Sequence, residues 1–223
     1  MSLFRHPSFD EKYQPGDPPS PENQASEIII SPDTRRVNRM PPGQSRTRKW
    51  PILDASGPPQ IDLETWHLDV FGLVERPMTF SIHDFLALPQ IKVFSDFHCV
   101  TRWSRLGNVW SGVATKEIAR LVGIKAEAQF VLAHAYDNGW TTNIPVEYFM
   151  AEDVLLSHAH DDQPISVEHG GPVRLIAPQL YAWKSAKWVR ALEFISTDKP
   201  GYWEGGGYHM LGDPWSEQRY RWD

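Results

Sequence analysis

A single cysteine, Cys99, among 223 residues excludes an internal disulfide and leaves one thiol to be buried, reactive or metal-bound. It fits a reducing compartment. No apolar run approaches the ~20 residues that a helix needs to cross a bilayer, so no membrane span is expected. Lysine and arginine are outnumbered, 22 against 28 acidic residues, and the net charge of −6 argues against a surface built for nucleic acid. Arg35 and Arg36 would open a twin-arginine leader only if an apolar stretch followed. Asn38, Pro41, Pro42 and further cations follow instead, so export is rejected and a cytoplasmic protein is expected. Also missing is a glycine-rich phosphate loop between strand and helix, and no long βαβ alternation appears; this favours an α+β fold over a doubly wound sheet.

What the chain has in excess is tryptophan and proline, 10 and 19 residues. Many indoles suit an aromatic-rich core or the wall of a cofactor pocket, since each brings a large apolar face and one N–H in need of a partner. Residues 1–60 are rich in Pro, Ser, Asp and Arg, with Ile28 to Ile30 their one apolar cluster. They read as an irregular arm with a mobile tip, of which Arg35 to Trp50 lies on the body formed by 61–223.

Regular structure begins at Trp66, where apolar and polar residues alternate to Phe71 with the period of a strand. Ser81 and Asp84 form a capping box for a short helix closed by Pro89. Ile91 to Cys99 reads as a strand running into a loop. Thr115 is an N-cap candidate for a helix carrying Ile118, Leu121 and Val122 on one face and ending at Gly123. Gln129 to Ala135 and Trp140 to Thr142 form a hairpin around Asp137, Asn138 and Gly139. Further strands are expected at Asp153 to Ser157, Val173 to Ala177 and Trp188 to Ile195. The tail, Lys199 to Asp223, is expected to be ordered but irregular.

Three segments carry chemistry. Cys99 follows an apolar strand in Phe97-His98-Cys99-Val100-Thr101-Arg102-Trp103-Ser104, where a thiol is either a small buried hydrophobe or a thiolate activated by His98 and Arg102. No CxxC pair marks a structural zinc site. Glu168-His169-Gly170-Gly171-Pro172-Val173-Arg174 sets His169 and Arg174 at a sharp turn before a strand. Tyr181 to Trp188 adds Lys184, Ser185, Ala186 and Lys187, cations and small residues suited to a phosphate. His158, His160, Asp161 and Asp162 resemble metal ligands, but at a strand end they read better as a solvated polar loop.

With Cys-Val-Thr-x-Trp-Ser, His-Gly-Gly-Pro-Val-Arg and Lys-Ser-Ala-Lys-Trp in this order and spacing, the chain resembles the sulfite oxidase superfamily, in particular its single-domain bacterial members. The resemblance implies a sulfite oxidase molybdopterin-binding fold with mixed sheets and short helices, and a molybdenum-molybdopterin cofactor. It puts the metal thiolate at Cys99, and cofactor contacts at His134, His169, Arg174, Ser185, Ala186 and Lys187. Val37-Asn38-Arg39-Met40-Pro41 resembles the family's amino-terminal pterin-binding strip, which brings in Asn38 and Arg39. Tyr208 resembles an active-site tyrosine, and Arg102 is a catalytic donor candidate beside it.

The implied activity is two-electron oxygen-atom transfer to or from a small substrate. Members that oxidise sulfite place arginines in the amino-terminal strip and soon after the cysteine. Here Val37 opens the strip and only Arg102 follows closely, which weakens the case for sulfite; sulfoxides, sulfite and other small oxyanions all stay open as substrates. No haem-binding module is visible, so a separate electron-transfer partner is expected. The alternative is a molybdopterin carrier or storage module without turnover.

Overall fold

The computed structural model describes residues 28–223, organised around two sheets. The amino-terminal tip, expected to be mobile, lies outside the described residues. In chain order the strands are β1 (Ile28–Ile30), β2 (Ser45–Arg46), β3 (His67–Gly72), β4 (Met78–Ser81), β5 (Gln90–His98) and β6 (Trp103–Ala114). There follow β7 (Phe130–Ala135), β8 (Thr141–Pro145), β9 (Leu155–His160), β10 (Gln163–Pro164), β11 (Arg174–Ile176) and β12 (Val189–Ile195). Four short helices join them: α1 (Ile82–Ala87), α2 (Thr115–Val122), α3 (Val146–Phe149) and α4 (Tyr202–Gly205). Mixed sheets with few short helices make this an α+β fold. Among the described residues no helix is long and apolar enough to cross a membrane.

The first sheet runs β1-β5-β6-β9-β10, with β11 beside β9 and β2 beside β6. The second runs β4-β3-β12-β7-β8, with β3 and β12 parallel. Between them lies the main core, fed by Val113, Leu156 and Leu175 from one sheet and Leu68, Val131 and Leu192 from the other. A second apolar cluster, with Val93, Phe97, Trp110 and Ile176, has Trp50 of the arm packed against it. With apolar partners in both clusters, the first sheet is covered on both faces, and Val93 to His98 are buried without alternation. At Gly112, on the β6–β9 bulge, an added Cβ would lie 2.0 Å from the Leu156 carbonyl oxygen, so only glycine allows that approach.

Local sequence signals account for several boundaries. Ser81 and Asp84 form the reciprocal capping box of α1, and Gly123 ends α2 at φ 69°. Asn138 and Gly139 take the positive φ values that the β7–β8 hairpin requires. Thr115 corrects its expectation: it is the first helical residue, and its hydroxyl donates to the carbonyls of Phe149 and Val154 rather than to the helix's own backbone. The arm also differs from an irregular wrap, because β1 adds to β5 and β2 to β6, both in parallel. Arg35 and Arg36 belong to that folded part: Arg35 closes a 3-10 turn, and Arg36 bonds Asp33 and lies 4.1 Å from the Trp215 ring centroid.

Candidate molybdopterin site

One end of the two sheets is where β5 and β7 finish and β6, β11 and β12 begin. The loops there enclose a cavity of about 200 Å³. Six of the ten tryptophans line it: Trp50, Trp103, Trp140, Trp183, Trp188 and Trp203. Into this aromatic chamber come Cys99, Arg174, Ser185, Lys187 and Tyr208.

Cys99 is buried at the end of β5. Its sulfur lies 3.2 Å from the Thr101 hydroxyl, and its amide donates to the Trp103 carbonyl. Burial pushes the thiol pKa up, against the smaller opposing pulls of Thr101 and Arg219. The expected activators do not face it. Fully buried His98 bonds Ser104 across the β5–β6 pair through Nδ1, and exposed Arg102, at φ 71°, does not line the cavity but lies at Gly43 beside Glu217 and Arg219. A neutral, buried thiol is a poor nucleophile but a ready ligand for a soft metal, whose charge supplies the deprotonation that burial opposes.

Facing the same chamber are two cations, Arg174 and Lys187; His169, their neighbour in the turn and expected as a cofactor contact, is not among the residues that line it. Arg174 is buried at the head of β11, with Nη1 donating to the His169 carbonyl at 2.5 Å and Nη2 to the Ser185 carbonyl at 2.8 Å. Its pKa is lowered to about 9 by burial alone. His169 is lowered to about 4, by burial first and then by Arg174 and Lys187. Lys187 is lowered to about 8, by burial first and then by Arg174, with Asp54 3.8 Å away in partial compensation. Gly170 permits this packing: at φ 102°, a Cβ there would meet the Lys187 side chain at 2.7 Å.

These residues fit an anionic group. Arg174 Nε, His169 Nδ1 and Trp103 Nε1 are buried and have no hydrogen-bond partner among the described residues. Orphaned donors beside mutually repelling cations are costly unless a ligand satisfies both. A phosphate would do so at the Arg174–Lys187 end, and the thiol at the other would suit a soft metal ion.

The comparisons agree. The model of the oxidoreductase molybdopterin-binding domain matches residues 55–203. The chain belongs to that family. It is 48% identical over 186 residues to the oxidoreductase YuiH of Bacillus subtilis (strain 168), covering 83% of this chain and 93% of that one. YedZ1 of Azospira oryzae, described as a protein-methionine-sulfoxide reductase subunit, is 31% identical over 154 residues, 69% of this chain and 58% of its own length. The crystal structure of the sulfane dehydrogenase SoxCD from Paracoccus pantotrophus superposes with a TM-score of 0.59 at 23% identity, over 63% of this chain and 41% of that one. It shares the fold. The protein is accordingly a molybdopterin-binding oxidoreductase of the sulfite oxidase superfamily.

Not every residue named from the family motifs reaches the cavity. Ala186 is core, donating no surface to the chamber, although Ser185 and Lys187 on either side do. Ser185 is itself engaged, its hydroxyl accepting the Ala177 amide. His134 lies on the face of β7 opposite Ala135, where its ring bonds Glu193 at 3.0 Å; Ala135 is the residue that lines the cavity. Asn38 is exposed and caps the Met40 amide. Arg39 is buried in a two-point ion pair with Asp96, which also accepts the Gly107 amide. Its charge is spent inside the fold. The His158–Asp162 segment also departs from a solvated loop, since His160 packs on Trp50 and Trp110 while Asp161 bonds Arg105. Among the described residues no group of three His, Cys, Asp or Glu side chains is placed to hold a metal.

Three contributors escaped sequence reasoning. Gln44 donates to the Cys99 carbonyl at 3.0 Å, and Arg219 donates to the Val100 and Pro42 carbonyls, so arm and tail together hold the cysteine loop. Trp50 stacks on His169. The only prior signal was the surplus of tryptophan, which does not say which indole goes where.

Proposed function

We propose that the protein catalyses two-electron oxygen-atom transfer to or from a small, uncharged substrate, a sulfoxide or thioether being the class that suits the chamber best. The observation that carries this reading is the shared cavity: a buried thiol on one wall, orphaned cationic donors on another, and indoles between. When bound, the molybdenum-pterin group supplies the two-electron chemistry. Cys99 would hold the metal, and Arg174 and Lys187 would hold the pterin's anionic end. Tyr208, whose pKa is raised chiefly by burial, keeps its proton and offers a neutral O–H donor to an oxygen on the substrate.

The apolar walls favour a neutral substrate. Trp183, Trp203 and Tyr208 line the chamber with Cys99, Arg102 does not line it, and Arg219 gives two of its three guanidinium nitrogens to backbone carbonyls. An anion such as sulfite would lose its hydration against these aromatic walls, a cost that a neutral substrate does not carry. The name of the YedZ1 relative points to a sulfoxide as well. A separate electron-transfer partner completes the cycle, and we place the protein in the cytoplasm, where its one thiol stays reduced for the metal.

The test is metal and pterin analysis of protein from a molybdate-replete host, followed by viologen-driven reduction of dimethyl sulfoxide and dye-coupled oxidation of sulfite. Molybdenum with sulfoxide turnover supports the reading. Sulfite as the better substrate overturns its substrate class, and molybdenum without any turnover or dye-driven redox change indicates a carrier.

A further inference from the structure

Charge is segregated along the chain. Between Thr34 and Leu53 there are six cations (Arg35, Arg36, Arg39, Arg46, Arg48 and Lys49) and no acid, in a protein whose net charge is −6. Only Arg39 is buried. The fold sets part of this segment at the cavity: β2 pairs with the start of β6, so Arg46 lies opposite Ser104, and Lys49 precedes the cavity-lining Trp50. Exposed Arg102 joins them from the cysteine loop, its carbonyl accepting the Ser45 amide.

The tail reaches the same place. At Gly43 an added Cβ would meet Arg102 at 2.8 Å, Glu217 at 2.7 Å and Arg219 at 3.2 Å, so these side chains converge on one spot. One residue further on, Tyr220 is 51% exposed, and its ring centroid lies 5.5 Å from that of Tyr208, which lines the cavity. Two rings thus lead from the chamber wall to the protein surface next to Arg219. Two acids also face it: Glu217 is paired with Arg219 at 3.6 Å, while Asp223, which accepts the Arg219 and Tyr220 amides, keeps its charge against the larger number of cations.

We propose that this surface, Arg46, Lys49 and Arg102 beside the exposed ring of Tyr220, is the docking site of an acidic electron-carrier protein. Resting on the oxygen-transfer reading above, it supplies what that reaction needs. A substrate-bound oxygen, two protons and two electrons give water and the deoxygenated substrate, the electrons arriving one per carrier encounter; for an oxidation all of these run in reverse. Charge complementarity selects an acidic partner and speeds its encounter, and the effect fades with salt.

The test uses the protein purified from a molybdate-replete host and a small acidic iron–sulfur ferredoxin as probe, titrated at low and high ionic strength. Arg46→Glu/Lys49→Glu is compared with Lys125→Glu/Lys199→Glu, an equal charge change in the loops before β7 and after β12. The expected result is salt-sensitive ferredoxin binding weakened about tenfold or more by the first pair and unchanged by the second. Electron delivery from ferredoxin should fall likewise, while delivery from methyl viologen stays the same. Equal binding by all three proteins, equal loss in both variants, tighter binding of basic cytochrome c, or preferential retention of duplex DNA overturns the proposal. Binding requires no turnover, so absence of oxygen transfer alongside intact, charge-sensitive docking would identify the catalytic reading as the part that failed.

Discussion

The indole of Trp50 and the imidazole of His169 lie face to face, with centroids 3.9 Å apart and planes within 8°. Through this stack the arm covers one face of the half-buried imidazole, and burial is the first cause of its low pKa of about 4. In Trp50→Ala, water reaches the ring and the His169 pKa rises toward its ordinary value, read by NMR titration of the ring protons. The variant also loses about 2 kcal/mol of stability from the vacated aromatic contacts. An unchanged pKa would mean that the charges of Arg174 and Lys187, rather than burial, set it.

Lys187 predicts a pH dependence. In the ligand-free protein its ammonium loses its proton near pH 8, against an ordinary value of 10.5. An anion binds the protonated form, so pyrophosphate affinity measured on cofactor-free protein should fall by up to about tenfold per pH unit above 8. Lys187→Met should bind weakly, with that step gone. Stability runs the other way. The unfolded chain keeps its proton to higher pH than the folded one, so the ligand-free protein is stabilised as pH rises from 8 to 10.5.

Two buried ion pairs brace the site. Arg39 with Asp96 ties the arm to β5 three residues before Cys99, and Lys184 with Glu204, 2.6 Å apart and both inaccessible, ties the cavity strip to α4. Glu204 also accepts from Thr142 and Trp183. Arg39→Ala and Lys184→Met each strand a buried carboxylate, and each should cost about 3–5 kcal/mol in urea unfolding. A loss below about 1 kcal/mol, the scale of an exposed pair, would contradict the burial on which this rests.

Much of this architecture was legible in the sequence because it rests on local rules. The Ser81–Asp84 box, Gly123, and the Asn138-Gly139 turn each fix a boundary by backbone chemistry alone. β6 was not legible. It is buried on nearly its whole length, including Ser104, Arg105 and Asn108, so it has neither alternation nor an apolar run. For the site, the Cys99 loop, the Arg174 turn and the Lys187 strip were readable as motifs. Which face each neighbour presents was not: His134 and Ala135 differ by one residue on β7, and strand pleating sends them to opposite sides. Arg39 failed differently. Its partner Asp96 is 57 residues away, a separation no local pattern reveals.

The central claim is that Cys99 is the protein's ligand to molybdenum. X-ray absorption at the molybdenum edge, on wild type and Cys99→Ser prepared in parallel, tests it directly. The variant should fold, retain pterin through Arg174 and Lys187, and show one molybdenum–sulfur contact fewer, with turnover abolished. An unchanged sulfur count in metal-loaded Cys99→Ser, or wild-type rates with every substrate tried, would contradict it.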